Sequence, residues 1–488
     1  MGNLQSELLK MKFQKEKKAR DENRKKQNKL INKIGHKHGT YAREESLELY
    51  IGIDFGTSYI KVCVRDLGRE ESVVMKLFGH RDGLLPAGVL LNRNTGLLSV
   101  KNSTYQYQTL SKKVVHIEYL KLLLAGLEPR DDELLSEAEM KAAAVWLLSA
   151  VIAETKKEFR IQEMERCKGK KLNWMGINLG IPTDFFNSDI EKRFNVILNY
   201  ALFIANEDKI VKKPDMHYFS EYLEVMEKTS DGESLNGNEQ ISVYPEIAAA
   251  ANSFVFNRDV RPGYYAYFDI GGGTLDGIVF HFRDRDGGKE IDVVTGKVEP
   301  LGVEKTCYRL IHETDGREII GENMKSMKTA LMSGTAVHEV NIKVDLASCR
   351  ASKDVQKQVS MVMMPLKKRD QLKELNRQDS IPMYIGGGGS YSTWYHTHII
   401  GTHAIHKHGS CGMPKYLERP LADVEHLYPR DGSVDHRRFL IAYGLSIPPG
   451  EDVVLKGLPR DHPDADLVTD ISHIDYEGIA MEKYGELV

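Results

Sequence analysis

The chain has 488 residues, enough for two or more packed lobes, and its 41% hydrophobic and 28% charged content is that of an ordinary globular protein. Its 67 Lys and Arg nearly balance 70 Asp and Glu, a formal net charge of −3, so overall charge predicts no polyanionic partner. The five cysteines (Cys63, Cys167, Cys307, Cys349, Cys411) form no CxxC pair, no apolar run approaches roughly eighteen residues, and the N-terminus lacks a hydrophobic secretory segment; a cytoplasmic protein is expected.

Residues 10–38 crowd Lys and Arg around only three acids, Glu16, Asp21 and Glu22, and read as a solvated, helix-prone basic arm. Such an arm suits electrostatic contact with nucleic acid, an anionic membrane or an acidic protein, and equally suits a solubilising extension. Its start, Met1-Gly2-Asn3-Leu4-Gln5-Ser6, formally fits an N-myristoylation signal.

From Leu49 the chain alternates apolar, β-rich runs with helical stretches, the pattern of an α/β fold. Tyr50 to Val64 and Tyr264 to Phe282 are apolar runs broken by glycines, as a strand, a turn and a second strand would be. Glu137 to Ile161 has helical periodicity through Ala144, Leu147, Leu148, Val151 and Ile152, and Trp174 to Ile181 reads as a buried strand ended by Pro182. Ser230 to Gln240 is a polar loop, and the Pro-, Asp- and His-rich tail after Pro448 reads as a wrap-around extension. The expected divisions are a basic arm (1–48), a first lobe (49–245), a second lobe (246–448) and a C-terminal extension (449–488).

Two segments share one design: Ile51-Gly52-Ile53-Asp54-Phe55-Gly56-Thr57-Ser58 and Tyr267-Phe268-Asp269-Ile270-Gly271-Gly272-Gly273-Thr274-Leu275-Asp276. Each is an apolar strand, an Asp, a glycine turn and a hydroxyl. A turn without Cβ atoms brings backbone N–H groups close to phosphate oxygens, and an Asp at a strand end can hold the water shell of phosphate-bound Mg2+. Two such segments suggest duplicated lobes facing one nucleotide.

These segments resemble the two phosphate loops of the superfamily containing actin, the sugar kinases and DnaK-type chaperones. Three further segments recur in that family's order. Tyr244-Pro245-Glu246-Ile247-Ala248-Ala249-Ala250 resembles the first connecting helix, Tyr384-Ile385-Gly386-Gly387-Gly388-Gly389-Ser390 the adenosine loop, and Phe439-Leu440-Ile441-Ala442-Tyr443-Gly444-Leu445 the second connecting helix. The five motifs span about Leu49 to Pro448. The resemblance implies duplicated ribonuclease-H-like lobes with a nucleotide cleft between them, ATP and Mg2+ in that cleft, and ATP hydrolysis. The pattern is closest to the nucleotide-binding half of a DnaK-type chaperone. About forty residues follow the second connecting helix, too few for a peptide-binding domain, so a nucleotide-driven switch on a protein partner is expected.

The resemblance also implies roles, residue by residue. Asp54 and Asp269 would orient the Mg2+ waters. Thr57, Ser58, Tyr59 and Thr274, with the backbones of Gly56, Gly271, Gly272 and Gly273, would line the phosphates. Glu246 would orient the attacking water, although the order Pro245-Glu246 is closer to plasmid-segregation actins than to chaperones. Lys121, in Tyr119-Leu120-Lys121-Leu122-Leu123-Leu124, would stabilise transition-state charge. Gly302, in Pro300-Leu301-Gly302-Val303-Glu304, resembles the chaperones' leucine and double-glycine turn with Val303 in place of the second glycine, Lys328 in the amphipathic stretch Glu322 to Ser333 would reach the adenine and ribose, and Gly386, Gly387, Gly388 and Ser390 would lie against the nucleoside.

His396, His398, His403, His406, His408 and Cys411 crowd the segment after the adenosine loop, where a metal site is geometrically conceivable; they read instead as solvated or core side chains, and Tyr391, Trp394 and Tyr395 as core. Rival readings are a filament-forming, self-assembling actin-like ATPase, a small-molecule kinase and a nucleotide-binding pseudo-enzyme.

Overall fold

A computed structural model of the chain describes residues 45–100, 114–126, 135–182, 188–206, 215–229, 240–255, 260–285, 288–315, 321–334, 346, 349–367, 375, 378–407, 413–420, 424, 426–448 and 453–457. The basic arm up to 44 with its lipidation motif, the polar loop up to 239, His408, Cys411 and the tail beyond 457 lie outside the described residues.

One sheet is built on β1 (Ser46–Phe55), β2 (Tyr59–Asp66), β3 (Glu71–Val74), β4 (Lys171–Ile181) and β5 (Gln240–Pro245). Their spatial order is β3-β2-β1-β4-β5; β1–β2 and β2–β3 are antiparallel, β1–β4 and β4–β5 parallel. A second sheet repeats that plan with β6 (Gly263–Ile270), β7 (Leu275–Arg285), β8 (Gly288–Glu299), β9 (Ser380–Gly386) and β10 (Lys415–Glu418), in the order β8-β7-β6-β9-β10 and with the same directions. The mixed order arises because a meander can be closed by tight turns, whereas each parallel strand needs a helical crossover.

Those crossovers come from the helices. In the first lobe they are α1 (Leu120–Ala125), α2 (Glu137–Gln162), α3 (Asp189–Ala205) and α4 (Met216–Thr229); α2 starts where the Ser136 hydroxyl accepts from the Glu139 N–H at 3.2 Å and the Glu139 carboxylate accepts from the Ser136 N–H at 2.9 Å, a reciprocal cap. Leu147 and Ile152 of α2 and Phe194 and Leu198 of α3 share one core with Ile51, Ile53 and Leu179. The central strand is therefore sealed, and every residue from Leu49 to Phe55 is buried. The second lobe carries α5 (Glu246–Val255), α6 (Val303–Asp315), α7 (Gly321–Ser333), α8 (Arg350–Met363) and α9 (Thr393–Gly401), with Leu310, Val355 and Val359 packed on Phe268, Ile270 and Val279.

The last part of the chain returns to both sheets. Although counted with the second lobe on sequence, Leu427, Val434, Phe439 and Tyr443 share a core with Cys63, Val74 and Leu84 of the first. β11 (Leu427–Tyr428) adds parallel to β3, and β12 (Val453–Lys456), from the expected C-terminal extension, adds parallel to β8. The short helix α10 (Leu440–Leu445) is buried at every residue and lies beneath β1, where Gly52 leaves room for its backbone. The Asn178 amide of β4 donates to the carbonyls of Leu445 at 2.8 Å and Ile447 at 3.2 Å, fixing the end of that helix. α5 and α10 cross where Gly444 presses on the Ala249 carbonyl, so close that a Cβ at 444 would overlap it. Among the described residues no helix is long and apolar enough to cross a membrane.

Candidate functional site

Asp54 and Asp269 end β1 and β6 at equivalent points, and each is followed by a turn that closes in the same way. The Gly56 N–H donates to the Tyr59 carbonyl at 3.1 Å, and the Gly271 N–H donates to the Thr274 carbonyl at 2.9 Å. The ladders then pair Asp54 with Lys61 and Asp269 with Asp276. One geometry thus presents an ion pair in the first lobe, Lys61 on Asp54, and two acids in the second.

The two turns meet across the interlobe cleft. A Cβ on Gly272 would overlap the Ser58 hydroxyl, and one on Gly273 would lie 2.8 Å from the Thr57 side chain, so only glycines let the turns approach this closely. Gly302 seats α6 beneath the second turn: the N–H groups of Gly302, Val303 and Glu304 donate to the carbonyls of Gly273, Gly271 and Gly272 at 3.1, 3.0 and 2.8 Å. A Cβ there would stand 2.5 Å from the backbone of Gly273 and Thr274.

The cleft encloses a cavity of about 250 Å³. Of the residues expected on sequence, Asp54, Gly56, Thr57, Ser58, Tyr59, Lys121, Glu246, Asp269, Gly271, Gly272, Thr274, Lys328, Gly387 and Gly388 line it. Gly273, Gly302, Gly386 and Ser390 are not among its walls. Gly302 buttresses the turn, Gly386 presses on the Tyr267 hydroxyl, and the Ser390 hydroxyl is buried. Lys61, Asp276, Glu304, Met332 and Arg438 line the cavity without having been foreseen. Lys61 and Asp276 could have been found by counting, since each lies seven residues after its turn Asp and faces it across a hairpin. Arg438, whose guanidinium sits 5.3 Å over the Tyr59 ring, comes from the returning segment and carries no local signal.

The electrostatics are those of crowded buried acids. The Lys121 ammonium donates to both oxygens of Glu246 at 2.6 Å, and each side chain is only 4% exposed. Burial pushes the Glu246 carboxyl up to about 7, against the pull of the Lys121 charge. Burial works against the Lys121 ammonium, but the carboxylates of Glu246, Asp276 and Asp54 outweigh it and raise its pKa. Burial also raises Asp269, with the Asp54 charge adding to it and Lys61 opposing, and raises Asp276 well above the carboxylate range, reinforced by Glu246. The Tyr267 hydroxyl donates to Asp269 at 3.0 Å.

The wall carries five carboxyl side chains (Asp54, Glu246, Asp269, Asp276, Glu304) against Lys61, Lys121, Lys328 and Arg438, a formal excess of one negative charge, and one Asp276 oxygen and the Ser58 hydroxyl are buried with no hydrogen-bond partner. Such a donor set fits a hard divalent cation. Among the described residues no three His, Cys, Asp or Glu side chains converge on one metal position.

The histidines of the following segment each have local partners. His396 meets the Ser390 carbonyl at 2.6 Å and Glu418 at 2.7 Å, and His403 meets the Met413 carbonyl at 3.3 Å. His398 packs edge-on to Trp394, and His406 is held between the Tyr416 hydroxyl at 2.6 Å and the Ser360 hydroxyl at 2.8 Å. Trp394 and Tyr395 are core side chains, whereas Tyr391 is 43% exposed, hydrogen-bonded to Asp435 beneath Arg437. These polar partners, both from the returning segment, hold it at the surface and out of the core.

The same strand order is repeated in two lobes, with a glycine turn and an Asp at the same point of each. Among solved structures, the chain is similar to MreB5 of Spiroplasma citri, whose crystal structure is described as bound to ADP: 13% identity, TM-score 0.41, covering 81% of this chain and 94% of that one. No family model matches the chain, and no curated protein matches it.

Proposed function

We propose that the cleft binds Mg-ATP and hydrolyses it, using the event as a conformational switch. The observation that carries this reading is the buried Lys121–Glu246 pair facing two equivalent Asp turns; Glu246 would serve as the proton acceptor, with Lys121 as the compensating cation. The glycine turns and the hydroxyls of Thr57, Ser58 and Thr274 would cradle the phosphates, while Gly387, Gly388, Lys328 and Met332 would face the nucleoside. Bound Mg2+, held through water by Asp54 and Asp269, would neutralise phosphate charge. Glu246 would accept the proton of a water whose oxygen bonds to the terminal phosphorus as the bond to the bridging oxygen breaks, giving ADP and phosphate.

Rotation about the crossing of α5 and α10 would convert hydrolysis into a change of lobe angle read by a protein partner, as the DnaK-like pattern suggests. A cytoplasmic setting belongs to the same proposal and suits the buried thiols Cys63 and Cys307. The test is phosphate release by the purified chain with Mg2+, which chelation should abolish. Absence of Mg-dependent ATP turnover would overturn the reading. A filament-forming ATPase is the second reading, favoured by the order Pro245-Glu246, with β5 ending on the proline and α5 opening on the acid. ATP-dependent pelleting decides for it.

A further inference from the structure

This inference rests on the cleft being a nucleotide site and concerns Arg438. Of the four cations in the cavity wall, three already have a carboxylate from the same wall: Lys61 has Asp54, Lys121 has Glu246 at 2.6 Å, and Lys328 has Glu304 at 3.6 Å. Among the described residues no carboxylate pairs with Arg438, and its Nε is buried with no hydrogen-bond partner. A guanidinium donor unsatisfied in the wall of a cavity calls for an acceptor that arrives in the cavity.

Arg438 is held from three sides. Its N–H donates to the Asp435 carbonyl at 3.0 Å, and the next residue, Phe439, is buried in the core that the returning segment shares with the first lobe. Its guanidinium lies 5.3 Å over the Tyr59 ring, which follows the first glycine turn. On the second lobe its Nη2 would stand 3.6 Å from a Cβ on Gly388. The side chain thus spans from the first phosphate turn to the turn assigned to the nucleoside. A nucleotide with its outer phosphates at the glycine turns and its nucleoside at Gly387 and Gly388 has one anionic group at that junction, the phosphate bonded to the ribose.

We propose that Arg438 binds the phosphate bonded to the ribose and makes that group the first requirement for a ligand of the cleft. The planar fork can take two phosphate oxygens at once. No ion pair has to be broken for this contact, whereas each lysine of the wall must leave a carboxylate to meet an anion. A nucleoside brings no anion and leaves the guanidinium unpaired. Because mono-, di- and triphosphates all carry this phosphate, Arg438 holds substrate and product alike.

The test is displacement of a fluorescent ADP analogue from the full chain, with Mg2+, by ADP, AMP and adenosine. Arg438→Gln should weaken ADP and AMP alike, by about tenfold or more, and leave adenosine unchanged. Arg438→Lys, which keeps the charge without the fork, should recover part of the loss. Tyr59→Leu removes the ring that holds the guanidinium and should cost ADP and AMP about threefold; it decides if the Arg438 variants do not fold. An equal loss for adenosine would reduce Arg438 to shaping the cleft, and a loss confined to ADP would place its contact further along the phosphate chain; either overturns the proposal. If wild type binds neither the analogue nor ADP, the reading of the cleft fails as well. If wild type hydrolyses ATP while Arg438→Gln keeps its affinity for ADP and AMP, only the role of Arg438 is wrong.

Discussion

Ser58 and Gly272, one from each lobe, touch across the cleft: the Ser58 hydroxyl occupies the space that a Cβ at position 272 would take. Closure of the two lobes therefore depends on a missing side chain. Gly272→Ala should hold the turns apart, and since overpacking costs about 1–3 kcal/mol, nucleotide affinity should fall by about tenfold or more. Adding Ser58→Ala should recover part of the loss. Titration with a fluorescent ATP analogue measures both; unchanged affinity in Gly272→Ala would show that the turns do not close on the ligand.

On the proposed mechanism Glu246 would act as a base only when ionised, and burial pushes its carboxyl up to about 7. On the proposed mechanism kcat/KM, which reports the free enzyme, should rise with pH through an ascending limb centred near 7 and level off above it. Glu246→Gln should bind ATP but lose about 10²-fold or more in kcat, with no such limb. A flat profile between pH 5.5 and 8.5 in wild type would remove Glu246 from this role.

His406 is buried between Tyr416 and Ser360, and burial, with the nearby His403 and Lys367 charges, lowers its pKa to about 4. The unfolded chain takes up this proton near pH 6.5, the folded chain only near 4. The unfolded state therefore binds more protons in that window, so stability is full above 6.5 and declines as pH falls toward 4. The total loss should be about 3 kcal/mol, at about 1.4 kcal/mol per pH unit. Denaturant melts of wild type and His406→Gln across this range should show a shallower slope in the variant; equal slopes would mean that His406 does not titrate differently on folding.

Gly444→Ala tests the helix crossing. The added methyl overlaps the Ala249 carbonyl, a backbone atom that no rotamer change can move. Destabilisation of about 2 kcal/mol or more is expected, with a lower Tm and weaker nucleotide binding together. A variant with wild-type Tm would imply that the connecting helices shift freely past one another.

Much of this arrangement is legible in the sequence because it rests on local rules. Leu49 to Phe55 and Tyr264 to Ile270 are apolar, and glycines after Asp54 and Asp269 mark where the chain must turn. What is not legible is which lobe a distant apolar segment covers. Phe439 to Leu445 reads as a buried helix from its composition, but nothing in its own pattern directs Leu427 and Tyr443 to the first sheet. Arg438 is hidden for the same reason, since its place in the cleft depends on the path of the whole segment. Gly302 misleads differently: its glycine signals close backbone approach correctly, but to the second turn rather than to the cavity.

The pairing of Ser72 with Leu427 and of Lys289 with Val453 also sets an order of assembly. During synthesis β3 keeps an unpaired edge until β11, more than 350 residues further along, has followed. Such long-range closure is slow and exposes a sticky edge meanwhile. The cleft is thus completed only when both lobes and the returning segment have been made, and a chain stopped before β11 would leave an open-edged intermediate.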